Sequence, residues 1–225
     1  MFTPETFKFL RELRRHNQRE WFEANKSRYE SLVRTPALEF IEAMAPVLAT
    51  FAPKFRADAR KMGGSLMRVY RDTRFAFDKT PYKTNIGIQF RHVRGKDVHA
   101  PGLYVHIAED DDCFFGAGCW HPEADALLKI RQAIAETPKR WFAVRDDKTF
   151  ARHWTLGGES LQRQPRGFAA NHVAIEDLRR KDFIALASLS ADEVTSRHFV
   201  TLTGQRFSEA APLMRFLCGA LDVAF

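Results

Sequence analysis

The fold of this chain is set by the stretch Thr84-Asn-Ile-Gly-Ile-Gln-Phe-Arg-His92. Its apolar residues Ile86, Ile88 and Phe90 alternate with small or polar ones, and a period of two is typical of a β-strand with one buried face. Residues 103–107 repeat the pattern, because apolar side chains occupy every second position. The two stretches together predict a pair of half-buried strands.

Two further segments extend this pair into a meander. Cys113–Trp120 is expected to return beside residues 103–107 after an acidic turn at Glu109–Asp112. Upstream, Arg68–Phe77 is expected to form the first strand, which a turn at residues 78–81 joins to Thr84–His92. Four consecutive strands with short links predict an antiparallel sheet.

Helices are predicted on both sides of this sheet. Thr3-Pro4-Glu5 combines a hydroxyl N-cap, a proline in the first turn and an acidic residue near the positive end of the helix dipole. A second helix is expected over about residues 18–33. A third begins at Thr35-Pro36, and Pro46 is expected to kink it. After the meander the chain reads as mostly helical, with one short strand expected at residues 160–164.

The order of helices, strands and helices predicts an α+β fold, in which the C-terminal helices pack on a central antiparallel β-meander. No repeat, low-complexity segment or linker interrupts the chain, so a single domain is expected over residues 1–225. Its expected parts are a helical layer (1–60), a β-meander (64–120) and a mostly helical remainder (121–225).

Composition limits the class of protein. The chain has 225 residues, 45% of them hydrophobic and 28% charged, which is ordinary for a globular domain. No apolar run is long enough to span a membrane, and residues 1–15 lack the apolar segment of a secretory signal. Three cysteines without a C-x-x-C pair argue against a disulfide framework. We therefore expect a cytoplasmic protein with no membrane partner.

The net charge of +7 permits anionic partners. The simpler explanation is that basic residues are spread over solvated helix faces, since no run of five or six like charges occurs. Charge alone therefore does not identify a nucleic-acid-binding protein.

Residues 68–85, RVYRDTRFAFDKTPYKTN, are unusually rich in charge for a strand-turn-strand unit. Strand alternation would place Arg68, Asp72 and Arg74 on the face opposite the core. Arg71 would then lie on the apolar side and need a partner there. That apolar side is expected to comprise Val69, Phe75 and Phe77.

Crowded guanidinium groups favour an anion site, because their planar donors bind carboxylate or phosphate oxygens in pairs. The glycine pair of the Cys113–Trp120 strand would form the floor of such a cleft. The predicted ligand-binding residues are Arg68, Arg71, Arg74, Lys79, Lys83, Gly116 and Gly118. The predicted groups for proton transfer are Asp72, Asp78, Tyr82 and His172.

Structural explanations compete with this interpretation. The charges of the segment would equally suit a ladder of cross-strand ion pairs, and the two glycines a bulge or bend. His172 would also suit a helix cap. A metal site built from Cys113, Cys119, His121 and His106 matches no common zinc spacing, and no nucleophile-elbow, P-loop or dinucleotide-binding pattern occurs. No metal and no cofactor is predicted.

The same segment carries a resemblance to a known family. Arg68-Val-Tyr-Arg-Asp-Thr-Arg-Phe-Ala-Phe-Asp-Lys-Thr-Pro-Tyr82 is similar to the signature R-x-x-R-D-x-R-F-x-x-[DN]-K-x-x-Y of the bacterial domain-of-unknown-function family 2461. The likeness extends to Trp21-Phe22, to the hairpin at residues 102–120, to Pro165–Phe168 and to residues 174–183. The resemblance implies a stand-alone protein of this length and implies no activity.

The residues themselves therefore carry the functional expectation. We expect a protein that binds an anionic small molecule, phosphorylated or carboxylate, and whether it is also an enzyme stays open. A nucleic-acid-associated module is the second interpretation, with bases stacking on Tyr70, Tyr82, Tyr104 and Trp120. A protein-interaction domain is the third, with a partner surface formed by Phe7, Phe9, Trp21 and Phe22. The oligomeric state is not predicted.

Overall fold

The computed structural model describes residues 1–95, 101–109 and 112–225. In these ranges the chain forms a six-stranded antiparallel sheet, and helices from both ends of the chain pack on it. The α+β class predicted from the order of the segments is thereby confirmed.

The sheet has the strand order β1-β2-β3-β4-β6-β5. Its strands are β1 (Phe55–Arg56), β2 (Asn85–His92), β3 (Gly102–Ala108), β4 (Cys113–Cys119), β5 (Trp154–Gly157) and β6 (Phe183–Leu189). The helices are α1 (Pro4–Arg15), α2 (Arg19–Ala24), α3 (Lys26–Tyr29), a π-helical turn (Glu30–Arg34), α4 (Thr35–Phe51), α5 (Ala124–Glu136), α6 (Pro138–Arg145), α7 (Lys148–His153), α8 (Ile175–Leu178), α9 (Ala191–Thr195), α10 (Phe199–Glu209) and α11 (Ala211–Ala220).

The three central strands confirm the predictions from alternation. Ile88 of β2 pairs with Val105 of β3, which pairs with Phe115 of β4, and all three side chains are buried on one face. The predicted acidic turn between β3 and β4 includes residues 110–111, which lie outside the described residues.

The predicted strand at Arg68–Phe77 is wrong. Isolated bridges join Leu66 to Ile88 and Tyr70 to Tyr82, but no regular strand forms in this segment, all of which the structure describes. Phe75 and Phe77, predicted to face the core, are 96% and 103% exposed, whereas Val69 is buried as expected. The physical reason is that the charged side chains of the segment bond to one another across a loop instead of following a sheet ladder.

Two strands of the C-terminal half were missed. Phe183–Leu189 alternates between buried and exposed positions and forms β6, which pairs with β4. The short strand expected at residues 160–164 instead lies at Trp154–Gly157, and Ser160 makes only an isolated bridge with Arg180. The remainder after residue 121 is therefore less helical than predicted, because part of it completes the sheet.

The predicted helix over residues 18–33 is interrupted at Asn25. The Asn25 side-chain amide donates to the carbonyl of Trp21 at 2.9 Å, and the backbone leaves regular helical geometry there. The chain then continues through α3 and the π-helical turn into α4, which keeps Pro46 inside it. The Trp21 carbonyl also accepts the backbone N–H of Asn25 at 3.0 Å, so the side-chain amide adds a second bond at the interruption.

Helices cover one face of the sheet. Phe90 and Phe115 from this face contact Phe207 of α10 at ring-centroid distances of 6.0 Å and 5.7 Å, and Phe40 of α4 stacks on Phe199 at 4.7 Å. Within the described residues, no helix is long and apolar enough to cross a membrane. The opposite face holds the cavity that is described next.

Candidate functional site

A cavity of about 550 Å³ lies on the open face of the sheet. Strand pairing aligns Gln89, Tyr104, Gly116 and Leu186 in one row across β2, β3, β4 and β6. The residues that line the cavity come from these four strands and from the segments that flank β2 and β4: Met67, Lys83, Gln89, Gly102, Tyr104, His106, Phe114, Gly116, Ala117, Gly118, Trp120, Ile184 and Leu186.

Glycines make the centre of this face concave. An added Cβ at Gly116 would lie 3.4 Å from Cβ of Tyr104 and 3.9 Å from Cδ2 of Leu186, so a methyl group fits there and would occupy part of the hollow. Gly118 is different, because its φ is +128° and an added Cβ would lie 2.0 Å from the carbonyl oxygen of Phe183. Gly116 therefore forms the floor of the cavity. At position 118 only glycine fits, because of the backbone conformation and the close carbonyl group.

Lys83 is the cationic side chain of the cavity lining. Burial lowers the pKa of its ammonium group, and the nearby positive charge of Arg68 lowers it further. Within the described parts of the chain, neither Lys83 nor Arg68 has a side-chain hydrogen bond or an ion pair with a carboxylate. Lys83 thus lines an apolar hollow, with the charge of Arg68 nearby, and neither cation has a counter-ion among these residues.

A polar pair lines the same cavity as Lys83. The Tyr104 hydroxyl and Nδ1 of His106 are hydrogen-bonded at 3.0 Å, and Nδ2 of Asn85 lies 3.5 Å from the same nitrogen. Burial raises the pKa of Tyr104 to about 12 and lowers the pKa of His106, an effect that Asp112 partly offsets. The cavity therefore contains a neutral phenol and a neutral imidazole that can exchange a proton with a ligand.

The arginines predicted to bind the anion are mostly satisfied within their own loop. Arg74 binds Asp72 through two hydrogen bonds of 2.7 Å and 3.0 Å. Arg71 bonds to Asp78 and to Thr80. The partner that Arg71 was expected to need is therefore Asp78, in a loop rather than in the core.

The other three predicted cations of the segment differ in whether the loop supplies a bonding partner. Lys79 donates to the carbonyl of Thr73 at 2.9 Å, so it is also bonded within the loop. Judged by contacts with the described residues, Arg68 and Lys83 are the two of the five predicted cations that keep their donors open, and Lys83 alone of these five lines the cavity. The predicted floor glycines, Gly116 and Gly118, do lie in the same cavity as Lys83.

The loop ion pairs lead to a pH prediction. Hydrogen bonds from the Arg74 side chain lower the pKa of Asp72 from 3.8 to about 2, and the Thr80 backbone N–H followed by Arg71 lowers that of Asp78 to about 2. Both carboxyl pKa values are lowered in the folded protein, so the contribution of these pairs is present above pH 3.8 and lost as the pH falls through about 2.

Carbon-detected NMR titration of the carboxyl groups would measure these values directly. In Arg74→Ala the pKa of Asp72 is expected to rise toward 3.8 without reaching it, because the backbone N–H of residue 74 remains, while the Asp78 signal still titrates near 2. In Arg71→Ala the Asp78 value is expected to rise and the Asp72 value to stay low. Normal titration of both carboxyls in the wild-type protein would contradict the loop network.

All four predicted proton-transfer residues lie outside the cavity lining, and the two carboxylates among them belong to the loop ion pairs. Tyr82 is 2% exposed and stacks on Phe22 with ring centroids 4.0 Å apart. His172 accepts the N–H of Ala174 at Nδ1, and its Nε2 lies 3.3 Å from the carbonyl oxygen of Ala135. Both side chains therefore have structural contacts, and the bond of His172 lies in the turn before α8, which has no side-chain cap.

The residues considered for a metal site lie on opposite sides of the sheet. Cys113 and Cys119 are buried on the helix-covered side of β4, whereas His106 lines the cavity on the open side. The sheet therefore separates the two cysteines from His106.

Several aromatic residues considered for base stacking or for a partner surface are buried. Tyr82, from the base-stacking set, is packed in the core as described above. Phe7, Phe9 and Phe22, from the partner-surface set, also belong to the hydrophobic core. These side chains therefore stabilise the fold and are not presented to a partner.

One polar pair at the rim of the cavity was not anticipated. Nδ1 of His121 lies 2.9 Å from Asp182, whose carboxylate is 1% exposed. His121 has a φ of +45°, and its ring contacts Trp120 of the cavity wall at a centroid distance of 4.3 Å. Asp182 also accepts the backbone N–H groups of His121 and Glu159 at 2.7 Å and 2.9 Å. The pair anchors the end of β4 that carries Trp120.

The missed cavity residues had a signal in the sequence. Tyr104 and His106 occupy alternate positions between the apolar residues of β3, and so do the glycines of β4. Polar side chains on one strand opposite glycines on the next indicate a hollow on the polar face. That inference needs the register between the strands, which the sequence did not supply.

The comparisons with known proteins identify the family. The family model described as conserved hypothetical protein (DUF2461) matches residues 5–216, and the chain belongs to this family. No curated protein and no solved structure matches the chain at a significant level.

Proposed function

We propose that this member of the family binds a small organic carboxylate in the cavity on the open face of its sheet. The anionic group would lie at Lys83 and Arg68, and the apolar body of the ligand would lie over Gly116. The observation that carries the proposal is that Lys83 lines an apolar cavity and has no acidic partner in the described residues.

The electrostatics favour an anion at this end of the cavity. Burial and the Arg68 charge both disfavour the protonated form of Lys83, and they lower its pKa for that reason. A ligand carboxylate would offset both effects, and a hydrogen bond between charged groups is stronger than one between neutral groups. Binding should therefore raise the pKa of Lys83 and weaken as the pH rises through it.

The apolar walls select the kind of anion. Phe114, Leu186 and Ile184 offer hydrocarbon surface to a ligand and no hydrogen-bond donor from their side chains. Arg71 and Arg74, which would suit the double charge of a phosphate, are already bonded to Asp78 and Asp72. A singly charged carboxylate with an apolar tail fits this distribution better than a phosphorylated polar metabolite.

A binding experiment tests the proposal. Calorimetry with hexanoate and 3-phenylpropanoate is expected to detect one site, whereas hexanamide and glucose 6-phosphate bind more weakly. Lys83→Met should weaken carboxylate binding by roughly 10- to 100-fold, since a hydrogen bond to a charged group contributes about 1.5–3 kcal/mol.

Lys79→Met is the matched control, because Lys79 is an exposed lysine of the same segment that bonds to Thr73 outside the cavity. It should bind hexanoate like the wild-type protein. Equal affinity for hexanoate and hexanamide, or an unchanged affinity in Lys83→Met, would refute the proposed site. Tight binding of glucose 6-phosphate that Lys83→Met leaves intact would point to a different anion site.

A further inference from the structure

We infer that Lys83 is a nucleophilic amine that forms an imine with the carbonyl group of a 2-oxo acid held in the cavity. This inference rests on the proposed function, because it specifies which carboxylates the cavity accepts. It adds a covalent step to what would otherwise be reversible binding.

The position of Lys83 is well defined by its backbone. Its N–H donates to the carbonyl of Val69 at 2.7 Å. The preceding residue, Tyr82, is held by Asn17 from both sides: the Tyr82 N–H donates to Oδ1 at 3.0 Å, and Nδ2 of Asn17 donates to the Tyr82 carbonyl at 2.9 Å. These bonds fix the point from which the lysine side chain enters the cavity, and a reactive group needs such positioning.

The surroundings of Lys83 are those of an activated amine. An amine reacts with a carbonyl only when it is unprotonated, and a lysine becomes a good nucleophile in an apolar pocket or beside another cation. Lys83 has both conditions, since burial and the neighbouring Arg68 lower its pKa. A structural lysine of an apolar sheet face would more often be paired with an acid, and the described residues supply none.

The step balances without any further reagent. The Lys83 Nζ lone pair attacks the carbonyl carbon, the carbon–oxygen π bond breaks, and proton transfer gives a carbinolamine. The remaining N–H proton of the carbinolamine is then transferred to the hydroxyl oxygen, the carbon–oxygen bond breaks, water leaves, and a neutral imine with a carbon–nitrogen double bond remains. Tyr104 and His106 line the same cavity and are the groups available for these proton transfers.

The two cations also define the acid. In a 2-oxo acid the carbonyl carbon is bonded directly to the carboxylate, so the two groups can reach two neighbouring basic side chains at once. The planar guanidinium of Arg68 has paired donors and suits the carboxylate. The carbonyl then faces Lys83, and an aliphatic or aromatic tail lies against Phe114 and Leu186.

Reductive trapping tests the inference. The wild-type protein is incubated with 4-methyl-2-oxopentanoate and sodium cyanoborohydride, and the product is examined by intact-mass spectrometry and peptide mapping. One reduced adduct per chain is expected, located on Lys83. Its rate of formation should fall at least tenfold in Lys83→Arg and stay unchanged in Lys79→Arg.

Mapping of the wild-type adduct keeps the test decisive if Lys83→Arg folds poorly. An adduct spread over exposed lysines at similar rates, or located on Lys79, would overturn the inference. The rate should also rise with pH and level off below the pH at which an ordinary lysine deprotonates, as the lowered pKa requires. A rate that follows ordinary surface lysines would be contrary evidence.

A carboxylate that lacks the 2-oxo group distinguishes a failure of imine formation from a failure of carboxylate binding. 4-Methylpentanoate is expected to bind and to protect Lys83 from trapping. If it binds at Lys83 and the oxo acid gives no adduct, imine formation is refuted while carboxylate binding stands. If neither acid binds, both proposals fail.

Discussion

Gly118→Ala is expected to destabilise the protein by at least about 3 kcal/mol, which corresponds to a fall in melting temperature of about 6–12 °C for a chain of this size. Two effects add. The φ of +128° at Gly118 is strained for any residue with a Cβ, and the new methyl group would lie 2.0 Å from the carbonyl oxygen of Phe183 on β6. Thermal denaturation followed by circular dichroism measures the change.

Gly116→Ala is the matched control on the same strand. Its added Cβ makes ordinary contacts with Tyr104 and Leu186, so its effect on stability should stay within about 1 kcal/mol. The methyl group would instead occupy part of the cavity above its floor and thereby weaken the binding of 3-phenylpropanoate. Equal stability of the two variants would show that the backbone at Gly118 is not constrained as described.

Asp182→Ala is expected to cost roughly 2–5 kcal/mol of unfolding free energy, because the variant leaves the partners of a buried carboxylate unsatisfied. These partners are the backbone N–H groups of His121 and Glu159 and Nδ1 of His121. Loss of these bonds should also increase the mobility of the Trp120 side chain, which the His121 ring contacts at the rim of the cavity. Chemical denaturation measures the stability, and tryptophan fluorescence reports the change at the rim.

Asp222→Asn provides the comparison for Asp182, because asparagine tolerates the φ of +55° at this position. Asp222 forms an ion pair with Lys129 at 3.0 Å on the surface, and its side chain is 81% exposed. Removal of an exposed pair typically changes stability by less than about 1 kcal/mol. A similar small effect in Asp182→Ala would mean that the buried carboxylate is not needed to hold the end of β4.

The structure changes the interpretation of the charged signature segment. Met67 before the loop and Lys83 after it both line the cavity, whereas Arg71 and Arg74 bond to carboxylates of the loop itself. We expect the internal pairs to hold the loop in one conformation and thereby to position Lys83. The segment then contributes to a site mostly through its two ends rather than through its arginines.

Parts of the site could be inferred from sequence because they depend on local pattern. Lys83 was predicted from its place in the charge-rich turn, and Gly116 and Gly118 from their spacing. All three line one cavity in the structure. Tyr104 and His106 were not predicted as ligand-binding residues, although both lie on the polar face of β3. Their relevance depends on Gly116 standing opposite Tyr104, and pairing between strands is a property of the register.

The failed predictions have a common physical cause. Arg68–Phe77 has strand-like alternation, but Asp72 and Asp78 offer its arginines closer partners than a neighbouring strand would. Phe183–Leu189 was overlooked because it lies in a part of the chain that reads as mostly helical, whereas its pairing with β4 makes it a strand. In both cases a local pattern competed with contacts made elsewhere in the chain.

The α+β class, the three central strands and the membership of the family all follow from the amino-acid sequence alone, since alternating apolar residues and a run of fixed polar positions are properties of adjacent residues. Which cations keep open donors, and where a hollow forms, depends instead on the folded chain. Those features arise when β6 is brought beside β4 and when the loop closes on its own ion pairs, and both events join residues that are not neighbours in the sequence.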